Sequence, residues 1–344
     1  MGKKNGVFMT GSVCYVMPSL YPSGGNKMIV EHVKRLAKRG HFAAVSVVLD
    51  YKEADRKWLD FYGLKIEPFT KDALEKYEHV VATYWETYYH IKNLCLSGPK
   101  LSYFVQSKEE DFEGDTVRKL KVISSLMDKD VQLFTEAKWI QLYLRETCGK
   151  GSLLVPNHIE LPDGLSFQSK GNKPVVLIEG EATASWKNIA FGARVAQLLR
   201  PEFEVWLLTS TPYSKLSPLI LGSFDQIFSG VQWKEALELI MTADVVYRPS
   251  ILEGFNGCMA EAMALGTPFV GNKIPGNYEA CVNEWNSLLV EPGKLFDAVG
   301  AIRRLYFDIE LREKIKRNAY KTAESFTNWD KSIDILVDTV FCLG

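Results

Sequence analysis

Arg248-Pro249-Ser250-Ile251-Leu252-Glu253-Gly254-Phe255-Asn256-Gly257-Cys258-Met259-Ala260-Glu261-Ala262-Met263-Ala264-Leu265-Gly266-Thr267-Pro268 is the stretch on which the reading of this chain turns. It begins as an apolar run, Val245–Arg248, reads as the end of a buried strand. It then crosses a short loop into small residues at helical spacing, Gly257–Leu265, closed by Gly266. Asn256 is an N-cap by type and place, because its side-chain oxygen can take one of the amides that a first helical turn leaves unpaired. The amides of Gly257 and Cys258 then stand available at a helix start, an anion site suited to a diphosphate. Glu253 falls in the loop, free to accept hydrogen bonds from sugar hydroxyls. Glu261 lies about one turn into the helix, where a carboxylate can chelate a ribose diol. Either glutamate alone reads as an ordinary capping or solvated residue; the joint pattern carries the argument.

Outward from that stretch, strand and helix patterns alternate. In the same half, Pro174–Ile178, Glu204–Thr209 and Pro268–Val270 read as strands, and Ile189–Leu199 and Trp233–Met241 as helices. The first half has the same rhythm. Val7–Val16 reads as a strand, Pro18–Gly25 as a loop, about Lys27 to Lys38 as an amphipathic helix stopped by Gly40, and Ala43–Leu49 as the next strand. Further strand candidates are His79–Ala82, Leu101–Gln106, Val131–Thr135 and Leu153–Pro156. Such βαβ units imply parallel sheets covered by helices. The 344 residues suit two domains of roughly 150 residues each. The segment Glu160–Lys173, rich in Gly, Pro, Ser and Lys and without periodicity, is the expected interdomain linker. The expected architecture is therefore α/β, with two facing Rossmann-like doubly wound domains and a cleft between them. They span 1–159 and 160–326, and a C-terminal helix over about 327–344 packs back on the first. Ligands in such sheets sit beyond the carboxyl ends of the strands, so site residues belong in loops that leave strands.

Composition narrows the classes. Hydrophobic residues make up 47% and charged residues 24%, as in a globular chain, and a formal net charge of -1 gives no support to a nucleic-acid partner. Six cysteines without a CxxC pair read as reduced thiols of a cytoplasmic protein, and neither they nor any carboxylate cluster predicts a metal site. Asp128-Lys129-Asp130 reads as a solvated turn before a strand, not a metal pair. The apolar start at Val7-Phe8-Met9 is broken by Thr10, Gly11 and Ser12, which suits a buried strand better than a signal peptide. No run of 18 apolar residues predicts a membrane span. The basic clusters Lys34–Arg39 and Arg303–Lys321 read as solvated helix faces, with docking on an anionic membrane surface as the second reading. Tyr84-Trp85-Glu86-Thr87-Tyr88-Tyr89 reads as half-buried packing or as a stacking wall for an acceptor sugar.

Two glutamates separated by seven residues, set in Pro-Ser-x-x-Glu-Gly-Phe and Glu-Ala-Met-Ala-x-Gly-x-Pro, resemble the signature of family 4 retaining glycosyltransferases. The resemblance continues through Gly276, Glu279, Asn286 and Leu288-Leu289-Val290, with Ser287 in place of the tail's glycine, and upstream at Gly230-Val231 and Ala243-Asp244-Val245. It is close over roughly residues 225–330. The first half is similar more loosely, at Pro22-Ser23-Gly24-Gly25, Leu36-Ala37, Gly40-His41 and Val155-Pro156-Asn157, where His158 replaces the usual glycine.

The resemblance implies the GT-B fold and a nucleoside-diphosphate sugar as donor, held without a metal or other cofactor. It implies a donor site of Lys187, Glu253, Gly254, Phe255, Asn256, Gly257, Cys258 and Glu261. Gly24 and Gly25 would line the donor phosphates or the acceptor entrance. The acceptor would be a glycan, a lipid-linked saccharide or a small molecule, met in the cytoplasm or at the inner face of its membrane. Front-side attack would retain the anomeric configuration, with Glu253, Lys187 and Gln106 as the catalytic set.

Two departures bear on chemistry. Where the family carries Gly-Arg, this chain has Glu179-Gly180-Glu181, while Lys187 fits the family's lysine. A leaving diphosphate would then rely on Lys187, the helix dipole and one further cation that the motif does not identify. Where many members place a histidine, Tyr103-Phe104-Val105 leads to Gln106, which can orient a hydroxyl but cannot take a proton; strand-end packing is its other reading. That run is similar to rhamnosyltransferases of bacterial surface-glycan assembly. The departures keep two alternatives open: a catalytically degenerate protein that binds nucleotide sugars or glycans, and a nucleotide-sugar epimerase of the same fold.

Overall fold

Short apolar runs flanked by turn residues form the strands, and because helices cover both sheet faces the central strands are apolar on both sides. The structure, a computed structural model, describes residues 11–21, 23–49 and 63–343, so the first part of the strand predicted over 7–16, and Pro22, lie outside the described residues. The chain divides into two compact units. One comprises Met1–Asn157 with Trp329–Gly344, the other His158–Asn328.

In the first unit the strands are β1 (Ser12–Met17), β2 (Phe42–Val47), β3 (Ile66–Glu67), β4 (His79–Ala82), β5 (Lys100–Val105), β6 (Gln132–Thr135) and β7 (Leu153–Leu154). They form a parallel sheet in the order β3-β2-β1-β4-β5-β6-β7. Val13 to Met17 are wholly buried in the middle of it. The helix after β1 runs Gly24–Lys38, starting earlier than the apolar periodicity predicts, because Ser23 caps it by accepting from the Asn26 amide at 3.2 Å. Gly40, with φ of 90°, lies just past its end, a backbone angle that favours glycine. The chain's last helix, Trp329–Ile335, belongs to this unit. Arg39 pairs with Asp330 and Asp334 on it, the Arg35 guanidinium lies 4.7 Å above the Trp329 ring, and Ile333, Leu336 and Phe341 join the core.

In the second unit the strands are β8 (Val175–Glu179), β9 (Glu204–Thr209), β10 (Gln226–Ser229), β11 (Val245–Arg248), β12 (Phe269–Asn272) and β13 (Leu288–Val290), again parallel. Their order is β10-β9-β8-β11-β12-β13. The short strands β3, β10 and β13 are not among those read from the sequence. The order reverses between β8 and β11, the switch point beside which ligands of such sheets sit. The predicted linker 160–173 carries no helix or strand but is fastened to this unit. Ser166 and Gln168 bond the Glu238 carboxylate, and Lys170 pairs with Asp244 at 2.9 Å.

Phe341 is 1% exposed and meets the Tyr15, His79 and Phe134 rings. Replacing it by alanine is expected to destabilise the first unit by about 3–5 kcal/mol. Urea unfolding followed by tryptophan fluorescence reads this as a lower midpoint for that unit's transition.

Candidate functional site

The quoted stretch begins where β11 ends, beside the loop that leaves β8. These two loops are hydrogen-bonded to each other. The Ile251 amide donates to the Trp186 carbonyl at 2.8 Å, and Asn188 Nδ2 donates to the Pro249 carbonyl at 3.3 Å. Gly180, just after β8, has φ of 156°, and a Cβ there would meet the Ile189 and Lys187 side chains at 2.9 and 3.3 Å. Only glycine lets this turn close so tightly on Lys187.

A chain of buried asparagines holds the other side of the stretch. Asn272 Nδ2 donates to the carbonyls of Pro249 and Ser250 at 2.8 and 2.9 Å, Asn277 Nδ2 to the Asn272 carbonyl at 2.7 Å, and Asn256 Nδ2 to Asn277 Oδ1 at 2.8 Å. Asn256 Oδ1 in turn accepts from the Met259 amide at 3.2 Å, the N-cap bond that starts the helix Gly257–Ala264. A buried amide side chain calls for partners on both its donor and its acceptor. Asn256 and Asn277 each donate and accept here, while Asn272 uses its Nδ2 on two carbonyls and its Oδ1 has no partner among the described residues.

Four charged groups meet at the strand ends. Glu253 is 6% exposed, and each of its carboxylate oxygens already accepts a hydrogen bond from a cation. Lys187 Nζ donates to Oε2 at 2.7 Å, and Arg248 Nε donates to Oε1 at 2.7 Å. Arg248 also pairs with Glu179, the last residue of β8. Burial by itself would push the Glu253 carboxyl up, but Arg248 and Lys187 outweigh it and hold it at about 2. Burial works against the Arg248 charge as well, and Glu253 more than restores it, so the guanidinium stays charged. Arg248 and Glu179 were missed as site residues. A readable signal existed, since an arginine ending the apolar strand Val245-Val246-Tyr247 has to find buried partners. Arg248 is thus a second cation, beside Lys187, at this cluster.

The helix start completes this arrangement. Gly257 and Cys258 are its first residues, whose amides precede any acceptor within the helix. The Cys258 thiol is buried and pushed up to about 12, above all by desolvation, so it stays protonated. Glu261 lies one turn further, where its Oε1 accepts from the Trp233 indole N–H at 3.1 Å. Gly254 and Phe255 fill the loop, the Phe255 ring packing 5.4 Å from that of Phe326.

The remaining predicted residues lie in the first unit. Gly24 and Gly25 open the helix after β1, and a Cβ on Gly25 would come within 2.9 Å of Gln106 Oε1 at the end of β5. That oxygen is buried and has no hydrogen-bond partner among the described residues. Trp85 is 5% exposed, donating its indole N–H to Glu113 at 2.9 Å while Tyr84 donates to the same oxygen, so these two aromatics are packed rather than open as a stacking wall. Asp128 is not the solvated turn residue expected: Tyr88 donates to it at 2.6 Å and Lys92 pairs with it at 3.1 Å. In the basic clusters Lys34 and Arg35 pair with Glu31, Arg303 with Glu202 and Arg304 with Glu284. Among the described residues no helix is long and apolar enough to cross a membrane, and no cluster of His, Cys, Asp and Glu has the makings of a metal site.

With this geometry, residues 173–308, which span β8 to β13 and contain the four charges, match the family described as Glycosyl transferases group 1. At the level of fold, both units together correspond to GT-B structures. The chain resembles Anabaena HepE, solved with UDP-glucose, at a TM-score of 0.82 and 16% identity, covering 96% of this chain and 99% of that one. It also resembles WaaG, a glycosyltransferase of lipopolysaccharide biosynthesis, at 0.69 and 15% identity, covering 94% and 99%. Among curated relatives, a D-inositol 3-phosphate glycosyltransferase of Paenarthrobacter aurescens is 35% identical over 98 residues, 28% of this chain and 24% of the relative. An uncharacterized glycosyltransferase of Methanocaldococcus jannaschii is 36% identical over 93 residues, 27% and 24%. The matched segment thus spans about a quarter of the length of these relatives.

Two outcomes follow from the geometry. A Cβ on Gly276 would lie 2.5 Å from the Glu253 carbonyl oxygen and 2.7 Å from its Cβ. Gly276→Ala should therefore displace the Glu253 loop and cost about 1–3 kcal/mol, read by denaturant unfolding of the second unit. Because Glu253 falls from 4.5 to about 2 on folding, its contribution is present above the unfolded value and is lost as pH falls through the folded one. An acid titration should show the second unit weakening progressively between those two values, and Lys187→Met, by raising the folded value, should move the lower end of that window to higher pH and shrink the total loss.

Proposed function

We propose that the protein is a retaining, metal-independent glycosyltransferase that moves a sugar from a nucleoside-diphosphate sugar to an acceptor hydroxyl. The observation that carries this reading is the charged cluster at the ends of β8 and β11, with Lys187 Nζ 2.7 Å from Glu253, beside the capped start of the helix Gly257–Ala264 in a group 1 domain. As the bond from the anomeric carbon to the donor phosphate breaks, negative charge gathers on the leaving diphosphate. The amides of Gly257 and Cys258 and the ammonium of Lys187 are suited to stabilise it without reorganising. Glu261, steadied by Trp233, is assigned to the ribose diol. The acceptor oxygen bonds to the anomeric carbon from the face the diphosphate leaves, and its proton passes to the departing phosphate oxygen, which requires no protein nucleophile. Gln106, in the first unit, is assigned to orienting the acceptor hydroxyl, by its unpartnered oxygen. The acceptor itself is assigned to a glycan, a lipid-linked saccharide or a small molecule.

A second reading, a protein that binds the donor without turning it over, is favoured by one observation: both Glu253 oxygens are already occupied. One experiment addresses both. The purified protein is melted with UDP, GDP, dTDP or ADP, each with EDTA. UDP is the first candidate, since HepE was solved with UDP-glucose. A hundredfold excess over Kd should stabilise the fold by about 2.7 kcal/mol, and Glu261→Ala should abolish the shift. With the matching donor sugar, Lys187→Ala should lower kcat by about 10²-fold. A shift without any transfer would select the second reading, and no shift with any nucleotide would overturn both.

A further inference from the structure

Glu179, Lys187, Arg248 and Glu253 amount to two positive and two negative charges, so the cluster as it stands is neutral. Its members are not held equally. Glu253 is clasped by two cations, and its side chain and that of Arg248 are 5% and 8% exposed. Neither could leave without stranding a buried charge. Glu179 is the looser member. Arg248 is its one ion-pair partner among the described residues, its side chain is 22% exposed, and it stands at the strand end beside the Gly180 turn.

An arginine offers several donors in a plane, and carboxylate and phosphate oxygens compete for the same ones. We propose that Glu179 is an internal counter-ion which the donor's diphosphate displaces from Arg248, so that Arg248 contacts the phosphate and Glu179 sets how tightly nucleoside diphosphates bind. The inference rests on the glycosyltransferase reading and adds to it a residue that works against donor affinity. Occupied by Glu179, the guanidinium stays neutralised and ordered while the site is empty. Released, it joins Lys187 to give the site a net positive charge opposite the anionic donor.

The test is isothermal titration of the full-length protein with UDP, GDP, dTDP and ADP in EDTA, continued with the tightest. Wild type, Glu179→Gln, Glu179→Ser, Arg248→Lys and the double variant Glu179→Gln/Arg248→Lys are compared. Removing the competing charge should tighten nucleotide binding about tenfold in both Glu179 variants. Arg248→Lys should cancel that gain in the double variant. In turnover, Glu179→Gln should lower the donor KM without raising kcat. A Glu179 variant that melts like wild type yet binds the nucleotide equally or more weakly would overturn the inference, leaving Glu179 a structural clamp and the proposed function intact. If wild type and all variants bind no nucleotide, the glycosyltransferase reading fails together with it.

Discussion

A carboxylate that is almost wholly buried stays ionised in this protein only because two cations reach it, and the second unit is arranged around that requirement. Glu253 takes a guanidinium on one oxygen and an ammonium on the other. Each cation comes from a different strand end, so the pairing ties the exit of β8 to the exit of β11. Without it, burial would drive the carboxyl toward its neutral form, Lys187 would lose its ion pair, and Arg248 would keep only Glu179. The same cluster that makes the loops rigid concentrates charge at one point of the sheet edge.

Rigidity there has a second source that involves no net charge. Asn256, Asn272 and Asn277 hand hydrogen bonds from one to the next, from the backbone of Pro249 and Ser250 to the first turn of the helix Gly257–Ala264. Gly276 lets that framework approach the Glu253 backbone closely. The helix start is thereby held in place before any ligand arrives, and preorganised amides are worth more to a developing anion than amides that must first be turned toward it. The first unit is organised differently. Rings from β1, β5, β6 and the C-terminal segment pack among aliphatic side chains in its core, and Gln106 keeps a buried oxygen with no partner among the described residues.

Much of this was legible in the chain itself. Apolar runs and their spacing announced the alternation of strands and helices, since a strand buried on both faces has little choice of residue. His79–Ala82, Ile189–Leu199, Glu204–Thr209 and Val245–Arg248 stand where they were read. Asn256 as a cap followed from residue type and position alone, because a cap expresses a local rule that spans a few residues, whereas Lys187 was set beside Glu253 only by the family resemblance. The segment around 160–173 looked like a free connector for the same local reason, yet its polar side chains bond Glu238, Thr242 and Asp244.

What residue order by itself determined is the repeated βα rhythm, the loop-to-helix frame at 248–268 and the chemical kinds of group placed in it. Tertiary structure alone decided which of those charges neutralise one another. Glu179 and Arg248 lie 69 positions apart and become partners because β8 and β11 are neighbours where the strand order reverses. Pairing across a parallel sheet depends on strand order and register, and no local propensity encodes either. Glu179, which stands where the family's glycine-arginine loop begins, thus faces an arginine at the end of the adjacent strand, a juxtaposition that only the sheet order creates.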